Sequence, residues 1–169
     1  MTPIFLLEAI KKICEEETGN MTLQVKNDDP LRKAKEGKLS YFLGKTPKKN
    51  SSTKYVPFII IRFLSGKDNQ DEGENTESTC TVRIITCIYN EDEEKGYIDA
   101  LNVITAIRTR LLQDRLIDRR FQVRMPLEYI IYEDDTENYT IGEMVVTCDM
   151  PSIEKHWDHG KELGAWTVQ

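Results

Sequence analysis

His156 and His159 bracket a tryptophan and an aspartate in the run His156-Trp157-Asp158-His159, where metal-ligand residue types stand together. An H-x-x-H spacing can chelate a divalent cation, but a tetrahedral site needs a third strong ligand, and no pattern supplies one. The run lies in a polar stretch beyond the last strand-like segment, so a solvated tail outweighs a metal site. Two acidic clusters could suggest a cation. Asp68, Asp71, Glu72, Glu74 and Glu77 face a single Lys67, and Glu91 to Glu94 form an unbroken acidic run. Neither follows the alternating acidic loop with a distant glutamate that calcium requires. The first reads as a solvated loop and the second as charge at a helix start.

Gly44-Lys45-Thr46 has the residue types that end a phosphate loop, without the upstream glycine or the following helix. No serine sits in a G-x-S-x-G elbow, and the histidines lie three apart in the tail. Cys14, Cys80, Cys87 and Cys148 form no C-x-x-C pair, and three of them lie in apolar periodic segments, where cysteine acts as a small core residue. Lys45, Lys48, Lys49 and Lys54 make a modest basic patch without the interleaved aromatics that stack on single strands. Catalysis is left without a residue set, so the expectation is a non-enzymatic protein that works by assembling with other chains and uses no cofactor.

Composition agrees. The chain has 169 residues, 39% hydrophobic and 31% charged, with a net charge of −6. That length suits one domain with a core of its own. An acidic balance disfavours non-specific DNA binding and adhesion to an anionic membrane. Ile4 to Ile10 is too short, and too interrupted by Glu8, for a secretory signal. No apolar run approaches the roughly 18 residues of a membrane span. A reducing cytosol suits the scattered cysteines.

The elements that would position these residues can be read from periodicity. Met1 to Thr18 reads as a helix, capped by Thr2, started by Pro3 and stopped at Gly19-Asn20, with Phe5, Leu6, Ile10, Ile13 and Cys14 on one face. Asn20 to Tyr55 reads as a long, partly mobile connection with short strands at Thr22 to Val25 and Leu39 to Leu43. Tyr55 to Leu64 and Thr79 to Tyr89 read as two strands joined by a polar loop, Ser65 to Ser78, with Pro57 at a strand start or edge. A second helix runs from about Glu93 to Gln113. Ala100, Val103, Ile104, Ile107 and Leu111 form its stripe, widened by Tyr97 and Leu101, and Arg108, Arg110 and Arg115 complement its dipole.

Phe121 to Tyr132 alternates as a strand, with Phe121, Val123, Met125, Leu127, Tyr129 and Ile131 on one face, and Pro126 marks an edge or a bulge. After a turn at Glu133 to Asn138, Met144, Val146, Cys148 and Met150 alternate in a last strand ended by Pro151. The fold class is therefore α+β: an antiparallel sheet packed against two amphipathic helices, with a long strand-poor connection after the first. Residues 1–151 make one domain, and 152–169 a polar C-terminal tail.

The ordered segments Tyr55-Val-Pro-Phe-Ile-Ile-Ile-Arg-Phe63, Thr81-Val-Arg-Ile-Ile-Thr-Cys-Ile-Tyr89, Gly96-Tyr-Ile-Asp-Ala-Leu-Asn-Val-Ile104, Arg119-Arg-Phe, Met125-Pro-Leu127 and Tyr139-Thr-Ile-Gly-Glu-Met-Val-Val-Thr147, preceded by Ser40-Tyr-Phe-Leu-Gly-Lys-Thr-Pro-Lys48, resemble the tail terminator (tail completion) proteins of long-tailed bacteriophages. The likeness spans about Met1 to Pro151 in order and spacing, and no single motif in it is specific. It implies a subunit of the virion tail, assembled in the bacterial host cytoplasm. The subunit would form a ring, expected to be a hexamer, that caps the tail tube and offers a surface to the head connector.

The implied partners are further copies of the chain, the tail tube protein and a head-completion or connector protein. DNA would pass only through the lumen, and no membrane is involved. Under this reading Lys45, Lys48, Lys49, Tyr55, Pro57 and Phe58 are expected at a subunit or partner interface, and Asp68, Asp71, Glu72, Glu74 and Glu77 on a lumen-facing loop. Alternatives are a head-completion protein, or a cytosolic adaptor or metal-binding protein unrelated to phage.

Overall fold

The computed structural model describes residues 3–27, 33–47, 55–69, 77–132 and 138–151. In chain order these form α1 (Pro3–Thr18), β1 (Leu23–Val25), β2 (Lys35–Gly37), β3 (Ser40–Leu43), β4 (Phe58–Asn69), β5 (Glu77–Tyr89), α2 (Glu93–Asp114), β6 (Leu116–Ile117), β7 (Phe121–Ile131) and β8 (Tyr139–Met150). The fold is α+β. One 6-stranded sheet has the order β3-β4-β5-β8-β7-β6, and β1-β2 form a separate 2-stranded ribbon. Every pair in the large sheet is antiparallel except β3-β4, which is parallel. A parallel pair needs a crossover connection, and the segment between Leu43 and Phe58 provides it.

Both helices lie on one face of the sheet. From α1, Leu6, Ile10, Ile13 and Cys14 are buried, and from α2, Ala100, Val103, Ile104, Ile107 and Leu111. They meet Ile59 and Ile61 of β4, Val82, Ile84 and Ile88 of β5, Met144, Val146 and Cys148 of β8, and Phe121 and Val123 of β7. Each fully buried aliphatic side chain here contributes about 1.5–3 kcal/mol. The buried stripes are narrower than the sequence pattern suggests: Phe5 of α1 and Tyr97 and Leu101 of α2 face outward. A flat sheet contacts only the part of a helix that points straight at it, so residues on the flanks of a stripe remain in solvent.

Close approach fixes the helix–sheet spacing. A side chain at Gly142 would place its Cβ 2.4 Å from Ile104 Cδ1 and 2.9 Å from Thr86 Oγ1, so α2 sits directly on β8 there. At the end of α1, Gly19 brings its backbone onto Glu15, where a Cβ would lie 2.5 Å from the carbonyl oxygen. Thr18 Oγ1 donates to the Cys14 carbonyl at 2.7 Å and lies 2.8 Å from Tyr41 Oη, tying α1 to β3. The cap foreseen at Thr2 lies outside the described residues.

The strands depart from the sequence reading in two ways, the length of the hairpin loop and the faces of Met125 and Tyr129, while both prolines stand where a bulge and a strand start were expected. The stretch expected as the polar loop Ser65 to Ser78 is shorter, because β4 continues to Asn69 and β5 begins at Glu77, with a register shift between Phe63 and Ser65. Polar sequence hid the ladder, since solvent on both faces removes any alternation. Pro126 sits at a bulge, where β7 shifts register on β8 between Arg124 and Glu128. That slip turns Met125 outward, and Tyr129 is exposed as well, although both belong to the sequence's apolar face. Pro57 stands just before β4, and its carbonyl accepts from Ser40 N at 3.0 Å.

Candidate assembly interface

Among the described residues, the face of the sheet away from the helices is covered at one end only. There Val56, Phe58, Cys87 and Tyr89 are buried, with Phe42, Tyr55, Ile60, Tyr139 and Ile141 packed around them. Phe42 meets Tyr55 edge-on at 5.5 Å, and Tyr89 meets Tyr139 at 5.3 Å. The β1-β2 ribbon closes this end. Glu91 pins it, since its carboxylate accepts from Ala34 N at 3.1 Å while its own N–H donates to Gln24 Oε1 at 3.0 Å. The acidic run Glu91 to Glu94 thus divides its tasks. Asp92 caps α2 by accepting from Lys95 N, and Glu93 and Glu94 fill the first turn. That backbone hydrogen bond, followed by the Lys95 side chain, holds the Asp92 carboxyl below its ordinary pKa.

Beyond this cluster the face is open and mixes apolar and charged groups. Glu143, only 9% exposed, lies 2.9 Å from Arg83 Nε and accepts from Tyr132 Oη at 2.9 Å. Arg83 Nε makes no well-directed hydrogen bond there, so the pair is a charge contact. Further along, Arg124 of β7 is hydrogen-bonded to Asp149 of β8 and reaches Glu77 of β5 at 3.5 Å, a chain of charge across three strands.

Both margins of the sheet are partly unpaired among the described residues. β3 covers β4 only from Phe58 to Ile61, and from Arg62 to Asn69 β4 is exposed on both faces and held by β5 alone. At the other margin β6 covers β7 only at Phe121 and Gln122, with one more bond from Val123 N to the Arg115 carbonyl. Large apolar side chains flank these free stretches: Phe63 (44% exposed) and Leu64 on β4, and Met125 (52%), Tyr129 and Ile130 (53%) on β7. Arg108 of α2 lies over the Tyr129 ring at 5.5 Å. Free edges with apolar flanks are the usual contact material of assembling chains.

The residues expected at an interface are not brought together. Phe58 is buried and Tyr55 half-buried in the small aromatic cluster, where their apolar surface is used inside the subunit, and Pro57 is buried beside them in the chain. Lys45 is exposed just after β3, and Lys48 and Lys49 lie outside the described residues. Of the acidic set, Asp68 and Glu77 are exposed on the hairpin but partnered: Asp68 accepts from Ser78 Oγ, and Glu77 faces Arg124. Asp71, Glu72 and Glu74 lie outside the described residues, as do His156 and His159. The sequence did carry a signal for the β7 margin that alternation obscured. Tyr129-Ile-Ile-Tyr132 is apolar on both sides of the strand, which a half-buried strand has no need of.

The surface of the described residues includes two shallow grooves. One, of about 360 Å³, is lined by Phe5, Glu8, Lys12, Arg110 and Leu116, and the other lies beside Met21, Asp99 and Asn102. Neither places a nucleophile beside a base. Burial pushes the thiols of Cys14 and Cys148 up to about 12 and that of Cys87 to about 11, so these cysteines are core residues. Among the described residues no helix is long and apolar enough to cross a membrane.

No protein-family model and no curated protein matches the chain. Among solved structures, a chain of the "Virion of native gene transfer agent (GTA) particle" is similar at 10% identity, over 64% of this chain and 77% of that one, with a TM-score of 0.41. A likeness at this level establishes no family membership.

Proposed function

We propose that the chain is a structural subunit of a phage-type virion, a tail-terminator-like protein that assembles as a ring on the end of a tail tube and presents its other side to a head connector. Assembly is supported by the sheet itself, which among the described residues is uncovered over much of one face and along parts of both margins, with exposed Phe63, Leu64, Met125 and Ile130 beside the free strands. An isolated soluble subunit would gain from covering such apolar surface. The choice of a tail end over other assemblies comes from the resemblance, whose segments 55–63, 81–89 and 139–147 lie in or lead into the adjacent strands β4, β5 and β8. On this reading the acidic residues between β4 and β5 face the lumen, where negative charge lets DNA slide without adhering.

Purified protein incubated with tail tubes and imaged by electron microscopy tests the reading. Rings confined to one end of each tube are expected. Bare tube ends overturn it, and binding to head portals instead of tubes identifies a head-completion protein.

A further inference from the structure

Among the described residues the two margins of the sheet are notched in a complementary way. β3 fills the outer slot beside β4 at the Phe58 end, and β6 fills the outer slot beside β7 at the opposite end of the sheet. Following the register across the strands, Ile131 of β7 stands in the row of Ile59, and Arg124 in the row of Ser65. The vacancy on β4 thus lies at one end of the sheet and that on β7 towards the other. We infer that neighbouring copies of this chain join head to tail by pairing the free half of β7, Glu128 to Ile131, with the overhanging half of β4. This rests on the reading of the chain as a ring-forming subunit.

Strand direction and pleat restrict the pairing. Within one subunit β7 runs antiparallel to β4, so copies related by a rotation that keeps the strand direction pair antiparallel. The pleat then limits the register to every second residue, and charge complementarity picks one of these. Tyr129 and Gly66 point to the helix-covered face, opposite their partners Met144 and Cys80, whereas Glu128 and Lys67 point to the open face. Side chains stay on matching faces when Glu128 stands opposite Lys67 and Tyr129 opposite Gly66. That register joins a carboxylate to an ammonium group and sets Tyr129 beside the Phe63 ring, which already lies against Gly66, both favourable cross-strand contacts.

In this arrangement β3 of one copy lies in line with β7 of the next, and β6 in line with β4, so the short edge strands fill the slots that remain. The bulge at Leu64 and Pro126 bound the paired stretch instead of interrupting it. Successive copies step along the strands by about four rows, roughly 14 Å, across about four strand spacings, roughly 19 Å. A closed ring then inclines its strands by about 36°, within the tilt found in closed barrels.

A cysteine exchange tests the pairing, since the four native cysteines are buried. Lys67→Cys and Glu128→Cys sit on exposed side chains, and folding of each variant is checked by circular dichroism. With diamide as oxidant, the double variant is expected to give a covalent ladder ending at the ring size. A mixture of the two single variants should give cross-linked dimers and nothing larger. Cross-linking of Glu128→Cys to itself would establish a two-fold edge contact and overturn the head-to-tail inference. Absence of any cross-link also overturns it, whether the wild-type protein sediments as a ring or as a monomer. The ring reading is judged separately by tube capping: a ladder without capped tubes sinks the reading and leaves the pairing, and capped tubes without a ladder do the reverse.

Discussion

Gly142 and Ile104 meet so closely that a single methyl group tests the helix–sheet spacing. Gly142→Ala is expected to destabilise the fold by about 1–3 kcal/mol through overpacking. Ile104→Val alone should cost about 0.5–1.5 kcal/mol, yet it removes the Cδ1 that a new Cβ would strike. The double variant should therefore be more stable than the sum of the single changes predicts, as measured by urea unfolding. The buried thiols carry a second expectation. Their folded-state pKa values lie above the ordinary 9.0, so at neutral pH both folded and unfolded states keep the proton and nothing is lost. Above about pH 9 the unfolded chain releases protons that the folded chain retains, so stability falls with rising pH, towards about 12. Thermal melts in that window should show the decline, and a Cys14→Ala, Cys87→Ala, Cys148→Ala variant should show less of it. Single residues were only partly legible in the sequence. The core placement of the cysteines followed from periodicity. The clamp made by Glu91 did not, because its partners Gln24 and Ala34 are 67 and 57 positions away.

At the scale of elements, legibility followed the amount of one-sided burial. α2 and β8 bury one face each and were readable from their periods. β2 and β6 are short and owe their existence to neighbours, so no pattern announced them. β4 shows both cases in one strand. Its first half reads as apolar run, and its second half, exposed on both faces, was indistinguishable from a loop. The β7 alternation was legible, but the bulge at Pro126 overrode the face assignment of Met125. The start of α2 offers a clean test at this scale. Asp92→Ala removes the oxygen that accepts from Lys95 N, and the first turn of α2 should fray, seen as a lower melting temperature and loss of Lys95 amide protection. Because the Asp92 pKa is lowered in the folded state, the cap's contribution is present above the ordinary carboxylate range and lost as pH falls below it. The variant's deficit should therefore shrink in acid.

At the scale of the molecule, the described residues form a covered layer and an uncovered one. The sequence established the first, because two helices and alternating strands must bury each other's apolar faces. It could not locate the second. A surface that waits for a partner has no internal contact to impose a period, and the aromatic residues singled out for it, Tyr55 and Phe58, turned out to be occupied inside the subunit. What marks the open layer is arrangement: short edge strands that stop early, a charged chain from Glu77 through Arg124 to Asp149, and apolar groups on both sides of one strand.

The overhanging half of β4 carries a thermodynamic consequence. A strand held along one side only, with solvent on both faces, can detach without disturbing the core, so its opening costs a small part of the global free energy. Amide hydrogen exchange should therefore divide β4 at Arg62. Amides from Ile59 to Ile61 should exchange as slowly as those of the centre of β5, and hydrogen-bonded amides from Ser65 to Asn69 faster by orders of magnitude. One continuous strand would thus hold two local stabilities, and slowing of the faster set on assembly would report how much order the neighbouring copy supplies.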